Sequence, residues 1–193
     1  MERFIKTLSE NARNYCKEYL LATLIIAILT LLIYIIISKI KKQKISKSKA
    51  ISLLAFFSYF SLMLNISLIH RIGTEIDKTA NIFDEWSIFD VESSMYLNLK
   101  PIYNVILFLP MCFVLFFFIK SFFNKAYGSK KLLIYSTVIS FSTSLFIELM
   151  QLIFNLGTFQ LSDLVYNTTG GLIGALTCII IRKITNKKMA RVK

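Results

Sequence analysis

Five long apolar runs, separated by polar segments, constrain this chain more than any other feature. They cover residues 19–37, 50–69, 102–119, 132–154 and 164–181. At about 1.5 Å of rise per residue, each comes close to crossing the roughly 30 Å of a bilayer's hydrocarbon core. Lipid offers backbone N–H and C=O groups no partner, so segments of this length are read as helices that bond within themselves. A hydrophobic content of 55% and a mean hydropathy of +0.62 over 193 residues exclude an ordinary soluble domain. The expected fold is all-α, a polytopic membrane helical bundle of about five transmembrane helices. Residues 1–49 would supply an N-terminal amphipathic segment, an extra helix and a basic loop, residues 50–181 a four-helix core, and residues 182–193 a basic tail.

The net charge of +12 raises the question of nucleic acid, and the distribution of the charge answers it. Six lysines (Lys39, Lys41, Lys42, Lys44, Lys47 and Lys49) follow the first run. Four (Lys120, Lys125, Lys130 and Lys131) follow the third, and six basic residues follow the fifth, starting at Arg182. These three segments hold no acidic residue and, with five spans, all lie on one side. The positive-inside rule makes that side cytoplasmic, so the orientation is N-out and C-in. The basic runs are topogenic and face anionic lipid headgroups, and no nucleic-acid partner is expected.

Several residue types carry little chemistry. Cys16, Cys112 and Cys178 have no metal-ligand spacing and read as small buried hydrophobes. His70, the single histidine, reads as an interfacial residue at the end of the second run, so neither a metal site nor a cofactor is expected. Phe4, Leu8, Ala12 and Tyr15 suit an amphipathic helix lying on the membrane. The serines and Asn65 of the second run are packing residues that a helix can bond to itself. Residues 70–100 form the one long outer segment, with Phe83, Trp86, Phe89 and Tyr96 as headgroup-level anchors. Pro110, inside the third run, should kink or unwind it.

The last two runs carry polar residues where lipid would exclude them. Ser140, Ser144, Glu148, Gln151 and Asn155 follow helical spacing along one face, and Asp163, Asn167, Gly170 and Gly174 form a second stripe after a turn at 155–163. Two antiparallel helices would then set Glu148, Gln151, Asp163 and Asn167 at one end. Glu148 sits about 9 Å below the outer end of its run. An acid at that depth costs about 2.5–3.5 kcal/mol on insertion scales and is a functional candidate by default. Its structural alternative is a protonated donor bonded to Asn167 or a backbone carbonyl, clamping the hairpin. Asp163 can cap the fifth helix or act in the site. Asn167 needs partners, and Glu148 and Gln151 are the natural ones. Gly170 and Gly174 permit close helix approach and offer a face for a homo-oligomer.

These residues carry a family resemblance. The pattern N-x5-P beginning at Asn104 and ending at Pro110, then I-E-x-x-Q ending at Gln151, then D-x-x-x-N-T-x-G-x-x-x-G beginning at Asp163, resembles the VanZ family of small bacterial membrane proteins. The resemblance covers about residues 50–181 and makes the first run an extra helix. It implies ligand-contacting roles for Asn104, Glu148, Gln151, Asp163 and Asn167, structural roles for Pro110, Gly170 and Gly174, and an association with resistance to teicoplanin, a glycopeptide with a lipid tail. The chain departs from the family pattern at Cys112, where glycine is usual, and at Gly157 and Ser162, where the turn usually carries an arginine and an aspartate.

The leading expectation is a non-enzymatic protein of the bacterial plasma membrane whose outer-leaflet polar pocket binds or shields a membrane lipid or lipid-tailed antibiotic. One alternative is an intramembrane hydrolase or transferase on a lipid-linked envelope substrate, with Glu148 and Asp163 dividing acid and base roles. Another is a small transporter or assembly partner.

Overall fold

In a computed structural model, residues 21, 23–72, 89–90, 96–97, 99–124 and 127–192 are described. The expected N-terminal amphipathic helix, Cys16, Phe83, Trp86 and the side chain of His70 lie outside the described residues. Among the described residues, five helical segments are long and apolar enough to cross a membrane: Thr23–Ile40, Lys47–Ser67, Lys100–Phe123, Ser129–Ile153 and Leu161–Lys187. They agree with the five apolar runs of the sequence. The chain divides into two compact units, Met1–His70 and Arg71–Lys193.

The first unit contains α1 (Thr23–Ile40) and α2 (Lys47–Ser67). Apolar side chains cover α1 and stay exposed, among them Leu24, Ile28, Leu32 and Ile36, as suits a helix whose solvent is lipid. Lys42 takes a left-handed conformation (φ 51°) where α1 ends. The Tyr34 hydroxyl then accepts the Ser46 N–H at 3.2 Å, tying α1 to the start of α2. The polarity of α2 is absorbed locally: Asn65 Nδ2 donates to the Ser61 carbonyl at 2.8 Å, and Ser52 Oγ donates to the Lys49 carbonyl at 3.0 Å.

A short 3-10 turn, Ile69–Arg71, leads out of α2. In the long segment that follows, Phe89 pairs with Leu97 and Asp90 with Tyr96 in a two-residue antiparallel ladder.

The second unit is built on four helices. The third apolar run is broken into α3 (Lys100–Phe108) and α4 (Met111–Phe123) by the turn at Leu109 and Pro110. This is the expected effect of a residue that has no N–H and crowds the preceding turn. Asn124 closes α4 in a left-handed conformation (φ 50°), its N–H bonded to the Lys120 carbonyl. The hairpin partners are α5 (Ser129–Ile153) and α6 (Leu161–Val192). The tail expected from residue 182 onward is continuous with α6, whose helix runs on through the basic residues.

Three glycines of α6 decide how the unit packs. A Cβ on Gly170 would run into the carbonyl oxygen of Val105, and one on Gly174 into the carbonyl oxygen of Leu109, so α3 lies directly on this face. A Cβ on Gly171 would meet Ser140 Oγ, so α5 closes on the adjacent face. The Gly170/Gly174 face, which permits close helix approach, packs against α3 of the same chain. Exposed backbone carbonyls are poor neighbours for lipid, and the glycine face covers those of Val105 and Leu109 with backbone. Farther along, Cys112, Leu132 and Ala175 form a buried core that Phe116, Tyr127 and Cys178 flank. Cys112 and Cys178 are free thiols used as packing residues.

Replacing Gly170 or Gly174 by alanine adds about 1 kcal/mol of helix propensity but forces backbone against backbone, and overpacking of this kind costs about 1–3 kcal/mol. Thermal unfolding in detergent should show both variants melting below wild type. Gly128→Ala, where nothing lies within 4 Å of the new methyl, should melt close to wild type. Higher stability in Gly170→Ala and Gly174→Ala would contradict the close packing.

Candidate functional site

The buried polar stripe of α5 begins one turn earlier than expected and ends one turn sooner. After the buried Leu132, it runs through Ser136, Ser140, Ser144, Glu148 and Gln151, with Ile147 turned inward beside them. Asn155 does not belong to it. At φ 53° it is the left-handed residue that ends α5, its N–H bonded to the Leu152 carbonyl while the Leu156 N–H reaches back to the Gln151 carbonyl at 2.7 Å. This is a Schellman closure, a use for which asparagine is second only to glycine.

The serines serve as connectors between helices. Ser136 Oγ donates to the Gly171 carbonyl at 3.1 Å, and Ser140 Oγ lies 3.5 Å from Met111 Sδ. Ser144 Oγ accepts from Asn167 Nδ2 at 2.9 Å. Asn167 therefore pairs with Ser144, and not with the expected Glu148 or Gln151, because the tight seat of Gly171 on Ser140 sets Asn167 opposite Ser144, one turn along both helices.

Glu148 is 1% exposed, and its Oε2 accepts the backbone N–H of Gln160 at 2.8 Å. In this bond the carboxyl group is an acceptor, whereas the structural alternative expected a donor. It holds the end of the α5–α6 turn and leaves Gln160 almost fully enclosed. Asp163 occupies the first turn of α6, where negative charge meets the positive end of the helix. Its Oδ1 accepts from Asn104 Nδ2 at 2.7 Å. Asn104 on α3, Asp163 and Asn167 on α6, and Glu148 and Gln151 on α5 are thus gathered at the end of the unit that carries the α5–α6 turn. Each of the two acids is held through its own bond, Glu148 to a backbone N–H and Asp163 to a side-chain amide.

Sequence reasoning missed one cation. A Cβ on Gly157 would lie 2.7 Å from Arg71 Nη1 and 3.4 Å from Gln151 Oε1. The guanidinium of Arg71 therefore occupies the space over the turn that a side chain at position 157 would fill, with the Gln151 amide against the same spot. The turn that lacks its own arginine has one supplied from the end of the 3-10 turn.

Amide oxygens are enclosed here without a donor. Gln160 Oε1 and Asn167 Oδ1 are buried and accept no hydrogen bond among the described residues. Whichever way the Asn167 amide is turned against Ser144, one of its polar atoms is left over. Such groups cost about 1–3 kcal/mol each and call for an N–H or O–H from water or a ligand. Among the described residues no group of three His, Cys, Asp or Glu side chains could hold a metal ion. The apolar surround is open to lipid, since Leu149, Leu152, Ile153 and Phe154 at the end of α5 are exposed.

No protein of curated function and no solved structure matches the chain. The family model described as VanZ/LLP1 matches residues 19–182, a span that takes in the first apolar run together with Asn104, Pro110, Glu148, Gln151, Asp163, Asn167 and the glycines of α6. With most of its length matched and five helices able to cross a membrane, the chain is a multi-pass membrane protein of the VanZ/LLP1 family.

Proposed function

We propose that this protein acts without covalent chemistry in the bacterial plasma membrane, using the polar end of its hairpin to bind or shield a lipid-tailed ligand of the outer leaflet. A teicoplanin-type lipoglycopeptide is the ligand that the family suggests. One observation carries the reading: buried amide oxygens of Gln160 and Asn167 lack donors beside the buried Glu148, a short distance from apolar side chains that face lipid. A ligand that brings N–H and O–H groups on a hydrocarbon tail supplies what each part lacks, donors for the oxygens and a chain for the exposed surface of α5. Arg71 above the turn adds a positive charge for an acidic group, which the loss of an arginine at position 157 had removed from the family pattern.

The test is susceptibility of a sensitive host to teicoplanin and vancomycin, with membrane levels matched by immunoblot. The wild-type chain is expected to raise the inhibitory concentration of the lipid-tailed drug and leave that of vancomycin unchanged, and Glu148→Ala is expected to abolish the gain. Glu148→Gln keeps a carbonyl for the Gln160 N–H, so it separates loss of charge from the cost of about 1–3 kcal/mol of an unpaired buried donor. Failure of the wild type to protect would sink the proposal.

The role of Arg71 has its own test. Arg71→Gln should weaken protection, and the double variant Arg71→Gln/Gly157→Arg should restore it, because the departing guanidinium leaves room for an arginine on the turn itself. Equal protection by wild type and Arg71→Gln would remove Arg71 from the site.

A further inference from the structure

A second feature with the makings of a site lies at the opposite, basic end of the same unit. A cavity of about 470 Å³ opens between the end of α4, the start of α5 and the last turns of α6. Pockets of about 300–1,000 Å³ hold most small ligands. One wall is aromatic, made by Phe113, Phe116 and Phe117 of α4, and Phe117 is exposed toward lipid. The lining includes two cations, Lys120 and Arg182, and, among the described residues, no acidic side chain. Arg182 Nη1 donates to the Tyr127 carbonyl at 2.7 Å, which fixes the guanidinium at the rim while engaging one of its five N–H groups. Thr185 and Asn186 add polar groups beside it.

We propose that this cavity holds one anionic phospholipid, its phosphodiester between Lys120 and Arg182 and its acyl chain along the phenylalanine wall. The charge asymmetry selects the occupant. A fixed guanidinium and an ammonium match a phosphodiester and its anionic headgroup, whereas the ammonium of a zwitterionic lipid would meet two like charges. Its lining joins apolar side chains, with Phe117 exposed, to the cations of Lys120 and Arg182, which is the polarity of a phospholipid. This site is separate from the polar end of the hairpin and stands whether or not that end binds a glycopeptide.

Native mass spectrometry of the full chain tests it, with the protein released from micelles containing equal phosphatidylglycerol and phosphatidylcholine of the same acyl length. The expected result is one retained phosphatidylglycerol, favoured over phosphatidylcholine by about tenfold or more. Lys120→Gln/Arg182→Gln should lose that preference. Lys130→Gln/Lys131→Gln, with the same change of charge at the same end but outside the cavity, should keep it. If loss of the Arg182–Tyr127 bond prevents recovery of the double variant, Lys120→Gln alone should still lower the preference about threefold or more. Equal retention of the two lipids, equal losses in the cavity and control variants, or binding of added inorganic phosphate without lipid would each overturn the proposal.

Discussion

The second unit depends on backbone-to-backbone contact along one helix. In lipid there is no hydrophobic force to drive helices together, so association rests on close packing and on the few polar bonds that packing permits. Gly170 and Gly174 admit the carbonyls of Val105 and Leu109, and Gly171 admits Ser140. These contacts fix α6 against α3 on one side and α5 on the other, and the polar pairs follow from them. With Gly171 seated on Ser140, Asn167 falls opposite Ser144. With Gly170 seated on Val105, Asn104 comes within 2.7 Å of Asp163. Pro110 contributes by ending α3 at the point where the glycine face is spent.

The polar pairs in turn shape the turn between α5 and α6. Glu148 reaches the Gln160 N–H because α5 ends at Ile153 and the chain reverses over Asn155, and Arg71 fills the space that Gly157 leaves. The result is a chemically uneven molecule. Its turn end has buried amides with unused acceptors, two acids bonded to the Gln160 N–H and the Asn104 amide, and a guanidinium above them. Its opposite end has a cavity with aromatic walls and two cations in its lining. Both ends border apolar surface, which is the arrangement needed for ligands that are themselves amphipathic.

Much of this was legible along the chain because it is written at helical period. The five spans, the break at Pro110, the inward face from Ser140 to Gln151 and the close-packing glycines all follow from spacing within a single helix. Features that depend on which residue faces which were not. Spacing alone could not tell Ser144 from Glu148 as the partner of Asn167, since both lie on the same stripe, and only the seat of Gly171 distinguishes them. Asn155 continues the stripe in sequence, yet its tolerance of left-handed backbone makes it the residue that ends the helix. Arg71 was invisible because its contact with Gly157 joins distant parts of the chain, and its only local trace was the glycine where the family usually has an arginine. The glycine face read correctly as a place of close approach, but which helix of the chain packs on it required the fold.

The claim at the centre of this account is that the turn end of the hairpin receives a ligand with a lipid tail, and binding to the purified chain in lipid nanodiscs measures it most directly. Titration with fluorescently labelled teicoplanin should saturate at one ligand per chain, with vancomycin failing to compete and Glu148→Ala lowering the affinity. Binding that never saturates, or equal competition by the tailless drug, would contradict the assignment of that end as a site for lipid-tailed molecules.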